Sequence, residues 1–216
     1  TQRFDVLVTA GEPYKWCIDF QEHFQSSVRV GDSWTDFVRG VYLRDKHKNP
    51  LGSTESNWLE LAQPRLVYES SHGCVSDIPL ILDMAEEAWL VQDTPVQGLP
   101  GKGKLSVDSL GMEETGAPMD TSTEEERQIQ VVKDIKKTSK SLYLEAGIPS
   151  SIVVRSESLA LTDWGSELSA SSKVPVGTFV RDLQFKFLDI SGNDCVMDEG
   201  YSVKVKLIPS QNQEFE

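Results

Sequence analysis

This sequence predicts an all-β chain of tandem immunoglobulin-like β-sandwich repeats, the second incomplete and the first carrying a flexible insertion. Three observations predict it. Apolar residues alternate with polar ones over short runs rich in Val and Ile, such as Phe4, Val6 and Val8, the period of a strand with one face on a core. Long amphipathic helical stretches are scarce. The same turn and strand signals also occur twice in the same order, which is how a repeat architecture shows itself in sequence.

The repeat opens at Ala10-Gly11-Glu12-Pro13, which returns as Ala146-Gly147-Ile148-Pro149. Gly then Pro in a short linker ends one strand, sets a fixed φ and starts the next. Phe4, Val6 and Val8 precede the first junction, and Leu142 and Leu144 precede the second. Trp16-Cys17-Ile18 follows the first, and Ile152-Val153-Val154 follows the second. Further on, Phe37-Val38-Arg39 returns as Phe179-Val180-Arg181. Residues 41–45 then lead to Asn49 and Pro50, as residues 185–189 lead to Asn193. Asp45 and Asp189 thus each open an Asp-x-x-x-Asn turn, since Asp and Asn side chains bond nearby backbone and tolerate left-handed conformations. Leu59 and Leu61 match Val203 and Val205 as the strand after the turn.

The chain divides accordingly. Residues 1–9 are expected to end a preceding repeat, residues 10–145 to form one repeat, and residues 146–216 to form a second, truncated one. Thr1, with no initiator Met and a strand-like run directly behind it, reads as an internal cut. Within the first repeat, further strands are expected at residues 65–68, 78–82 and 129–132, and a short helix at residues 83–90. Residues 98–127, rich in Gly, Pro, Ser, Thr and Glu, keep neither period and read as a mobile insertion.

Chemistry-bearing patterns are few. The stretch from Asp189 to Asp194 starts like a calcium loop, but Gly192 and Gly200 stand where the pattern needs other residues, so a hairpin turn is expected. Residues 98–104 resemble a phosphate-cradling loop without its Lys-Ser/Thr ending and read as a linker. His72 and Cys74 flank Gly73, the mark of a turn more than of a metal site. Cys17, Cys74 and Cys195 are too widely spaced for a disulfide framework and fit a reducing compartment. No catalytic, cofactor-binding or metal residue is expected. Trp34, Phe37, Tyr42, Phe179, Phe185 and Phe187 are expected to pack in the core, with Trp34 or Trp164 the candidates for a partner anchor. The net charge of −13 repels phosphate, so direct nucleic-acid binding is not expected. No apolar run is long enough to span a membrane.

With these residues in view, the chain resembles the structural-maintenance-of-chromosomes flexible-hinge-domain-containing proteins, in the string of immunoglobulin-like repeats between their ATPase and hinge. Three stretches carry the resemblance: Val30-Gly31-Asp32-Ser33-Trp34-Thr35-Asp36-Phe37, Gly147-Ile148-Pro149, and Phe179-Val180-Arg181-Asp182-Leu183-Gln184-Phe185 with the turn that follows. It implies a nuclear, chromosome-associated protein with a role in chromosome organisation and gene silencing. The family's ATP site and hinge have no matching residues here, so no functional residue is carried over. The expected role is a scaffold or spacer that docks proteins. An extracellular adhesion-type array is the main alternative, and a carbohydrate-binding accessory domain with exposed Trp34 or Trp164 is a third.

Overall fold

The computed structural model describes residues 11–51, 58–110, 124–165, 179–197, 202 and 204. In chain order the elements are β1 (Pro13–Phe20), β2 (Ser27–Arg29), a single 3-10 turn at Trp34–Asp36, β3 (Val38–Asp45), α1 (Trp58–Leu61), β4 (Pro64–Ser70), β5 (Val75–Ile78), β6 (Leu80–Asp83), β7 (Ala88–Val91), β8 (Gly101–Ser109), α2 (Glu124–Lys133), β9 (Thr138–Glu145), β10 (Ser151–Arg155), β11 (Gln184–Leu188) and β12 (Asp194–Cys195). The chain is mostly β, as expected.

Two sheets face each other over one core. One has the order β1-β3-β7-β6 and the other β2-β9-β8-β4-β5; within them, β2 and β9 run parallel and the other named pairs antiparallel. Alternation decides what each contributes. Trp16, Val41 and Leu43 point inward from the first sheet, and Leu66, Tyr68, Leu105, Val107, Leu142 and Leu144 from the second, all buried. Two of the indole N–H groups are satisfied: Trp16 Nε1 donates to Ser109 Oγ at 3.0 Å and Trp89 Nε1 to the Leu59 carbonyl at 3.1 Å, whereas the buried Tyr68 hydroxyl has no hydrogen-bond partner among the described residues. A third, three-stranded sheet, β10-β11-β12, follows.

Several local expectations are corrected. Residues 98–127 are not one mobile insertion, because β8 is the middle strand of the five-stranded sheet, paired with β4 on one side and β9 on the other. Leu105 and Val107 alternate into the core, and Gly103 is needed for space, since a Cβ there would lie 2.3 Å from the Tyr68 ring. Residues 111–123 of that stretch lie outside the described residues. The strand expected at residues 129–132 belongs to α2, which buries Val132 near its end, and Ile135, just past the helix, is buried too. The strand expected over residues 78–82 is two strands, split at Pro79 and placed in different sheets.

The helix expected at residues 83–90 is a hairpin instead. The Asp83 carboxylate accepts from the Ala85 and Glu86 N–H groups, Glu87 takes φ +52°, and the chain reverses into β7. Leu59 and Leu61 sit in α1, not in a strand. Their counterparts Val203 and Val205, and the end of the preceding repeat expected at residues 1–9, lie outside the described residues.

Candidate docking junction

The two Asp-x-x-x-Asn turns have the same construction. Asp45 accepts from the backbone N–H groups of His47 and Asn49, each at 2.8 Å, from Asn49 Nδ2 at 2.9 Å and from the Gly11 N–H at 3.1 Å. Asp189 accepts from the N–H groups of Ser191 and Asn193, each at 2.9 Å, from Asn193 Nδ2 and from the Gly147 N–H at 3.0 Å. Backbone bonds close both loops, Asp45 to Asn49 and Asp189 to Asn193. Lys48 and Gly192, one residue before each Asn, take φ +72° and +80°. The glycine of each Gly-x-Pro junction is therefore tied by its N–H to the turn that follows the next strand pair.

That tie puts equivalent strands in equivalent registers. In the first case Trp16 pairs with Leu43 and Ile18 with Val41; in the second Ile152 pairs with Phe187 and Val154 with Phe185. Each carboxylate receives about as many donors as its four lone-pair sites take, which leaves it no capacity for a cation or a proton transfer. At Asp45 burial pushes the pKa up, but the bonds from Asn49, Gly11 and His47 outweigh it and hold the group at about 2. Burial likewise opposes ionisation of Asp189, and the bonds from Gly147, Asn193 and Ser191 still keep its carboxyl below the usual range.

The second turn also joins the third sheet to the first two. Asn193 Nδ2 donates to the Gly98 carbonyl at 2.7 Å, and the Gly98 N–H donates to Ser191 Oγ at 3.4 Å. A Cβ on Gly31 would rest 3.7 Å from Ile190 Cγ2. Gly147 lies so close to the Val30 carbonyl that a Cβ there would come within 2.4 Å of the oxygen, so only glycine fits. Val30 is fixed in turn by β2 and by its N–H bond to the Glu145 carbonyl at the end of β9. Sequence reading singled out Gly147, Asp189 and Asn193 but placed their partner Gly98 in a linker, and no signal local to Gly98 marks it. It also missed Asp182, which accepts from the Ser156 and Ser158 hydroxyls and the Ser158 N–H; these bonds, led by that from the Ser158 hydroxyl, hold its carboxyl well below the usual range.

Other candidates resolve simply. His72 and Cys74 flank a turn in which Gly73 has φ +78°. His23 borders a depression of about 260 Å³ with Phe24, Arg29, Asp32 and Glu145, where the Ser27 hydroxyl donates to Glu145. Burial pushes the Asp32 carboxyl there upward, with Arg29 pulling against it. Trp34 is 3% exposed and tilts against Tyr68, so it is core and cannot anchor a partner or a sugar. Trp164 is exposed, with the Lys186 ammonium 5.8 Å from its ring. Phe179, expected in the core, is exposed. Among the described residues no three His, Cys, Asp or Glu side chains are grouped to hold a metal, and no helix is long and apolar enough to cross a membrane. No protein-family model matches this sequence, and no curated protein or solved structure matches it.

Proposed function

We propose that this chain is a non-catalytic spacer and protein-docking segment, made of immunoglobulin-like sandwich repeats locked end to end. Its carrying observation is the bidentate use of Asp189, which ties Gly147 to the turn at residues 189–193 while that turn is pinned to Gly98. A flexible tether would need none of these bonds. A junction with glycine pressed on a backbone carbonyl holds one orientation and so keeps a fixed distance between what lies on either side. The chromatin setting, a protein of the structural-maintenance-of-chromosomes hinge type in chromosome organisation and gene silencing, is supported by the resemblance alone. The net charge of −13 suits a part that leaves nucleic acid to other regions.

Two measurements test this. Backbone NMR relaxation should give one tumbling time for the β10–β12 sheet and the two larger sheets; separate times would end the spacer reading. The full-length protein, tagged and fractionated, should be found with nuclear chromatin. Exposure to antibody on intact cells would replace that setting with the adhesion array.

A further inference from the structure

The two turns share one backbone and one hydrogen-bond set but sit in different surroundings. Asn193 is 7% exposed and donates to the Gly98 carbonyl, while its neighbours Ile190 and Gly147 approach Gly31 and Val30. Its counterpart Asn49 is exposed, and this is where the turns differ in burial, since Lys46, His47 and Lys48 are exposed as Ile190, Ser191 and Gly192 are. Among the described residues a Cβ on Gly11 would meet Asp45 alone, at 3.7 Å, where one on Gly147 would strike the Val30 carbonyl. In sequence, Phe4, Val6 and Val8 run into Gly11 as Leu142 and Leu144 of β9 run into Gly147.

We propose that Gly11 and the turn at residues 45–49 form the docking face for a β-sandwich module built by the polypeptide N-terminal to Gly11. Its backbone carbonyls meet Asn49 and Gly11 as those of Gly98 and Val30 meet Asn193 and Gly147. This inference rests on the spacer reading. The side chains set the chemistry of the occupant. Ile190 and Ser191 offer an uncharged surface to Gly31 and Gly98. Lys46, His47 and Lys48 offer a basic one, and Lys15 and Lys136 extend it around Tyr14. The Lys136 ammonium lies 4.4 Å from the Tyr14 ring centroid. Lys15 is bridged to Lys136 through the backbone and Pro13 pairs with Asp45 beside Lys46, so the three lysines lie around the start of β1. In a chain of net charge −13, this collar fits carboxylates, and the contacting loop of the preceding module is acidic.

Hydrogen exchange on two lengths tests the proposal: the 216-residue chain and the natural polypeptide extended upstream by one module. In the longer form the amides at residues 46–49 should exchange about tenfold more slowly or better, while those at residues 190–193 stay unchanged. Gly11→Ala should be silent in the short chain and abolish the slowing in the long one. Equal exchange at residues 46–49 in both lengths overturns the proposal, as does a reading frame that opens within a few residues of Thr1. Duplex DNA binding at physiological salt that is lost in a Lys46→Glu, Lys48→Glu double variant assigns the collar to phosphate and overturns it too. The readout is local to one turn, so its failure is distinct from separate tumbling of the sheets, which defeats the spacer reading itself.

Discussion

Trp16 and Ile152 hold the same place in two similar strand pairs, yet one is 0% exposed and the other 47%. Their cross-strand partners repeat the contrast: Leu43 is fully buried, Phe187 only partly, and Phe185, the counterpart of buried Val41, is 36% exposed. Strand pairing and turn chemistry are written locally in each stretch, whereas burial depends on what faces the sheet. For β1 and β3 the facing layer is β4, β8 and β9, with Leu66, Tyr68, Leu105 and Leu142. Among the described residues nothing equivalent closes over β10 and β11. Trp16→Ala should therefore cost about 3–5 kcal/mol in urea unfolding, and Ile152→Ala under about 1 kcal/mol. Equal costs would break the comparison by revealing that the β10–β11 face is covered after all.

The two junction glycines sharpen it. Gly147→Ala forces a methyl group against the Val30 carbonyl, contact with backbone that no rotamer can relieve, and should cost about 3 kcal/mol. Gly11→Ala adds a methyl at ordinary contact distance from Asp45 and should change stability by less than about 0.5 kcal/mol. Small-angle scattering would show whether Gly147→Ala also loosens the third sheet. A Gly147→Ala variant as stable and compact as the parent would mean that the junction is not close-packed.

The same contrast explains what was legible in the sequence. The paired strands β1 and β3, β10 and β11, and both turns were readable because Asp, Asn and Gly carry their own geometry and alternation carries the strand. Strand β8 was not, because Gly101, Gly103 and their lysine neighbours look like a linker until Tyr68 is known to need the space over Gly103. Residues 83–90 of the β6–β7 hairpin read as helix because the Met-Ala-Glu-Glu-Ala tip is made of good helix formers, and the Asp83 carboxylate bonds reveal the reversal. Of the junction, one half was legible: Gly147, Asp189 and Asn193 form a sequence-local device, while Val30 and Gly98 meet it only through the fold.

Asn193→Ala should come next in size. It removes the donor to the Gly98 carbonyl and one donor to Asp189 at a buried position, a loss of about 1–2 kcal/mol. Asn49→Ala loses only the bond to Asp45 at an exposed position and should cost less in the same denaturation assay. Reversal of that order would show that the covered turn gains nothing from its cover.

Acid should separate the two turns by consequence more than by midpoint. The folded Asp45 carboxyl titrates at about 2 against an ordinary value of 3.8, because its hydrogen bonds to Asn49, Gly11 and His47 overcome the opposing effect of burial. A group whose pKa is lowered by folding stabilises the fold fully above the unfolded value and loses that contribution as pH falls through the folded one. The Asp45 bonds should thus weaken between about pH 4 and pH 2, and the lowered Asp189 carboxyl gives its turn the same sign. At residues 45–49 the loss frees Gly11 and little else in this chain; at residues 189–193 it frees the junction that holds the third sheet to the first two. Carboxyl carbon shifts followed by NMR should place the Asp45 midpoint well below 3.8. Relaxation rates over the same titration should show the β10–β12 sheet gaining independent motion as Asp189 protonates, with no matching change around β1. A β10–β12 sheet that stays locked after Asp189 is protonated would mean that the glycine contact with Val30, and not the carboxylate clamp, holds the junction.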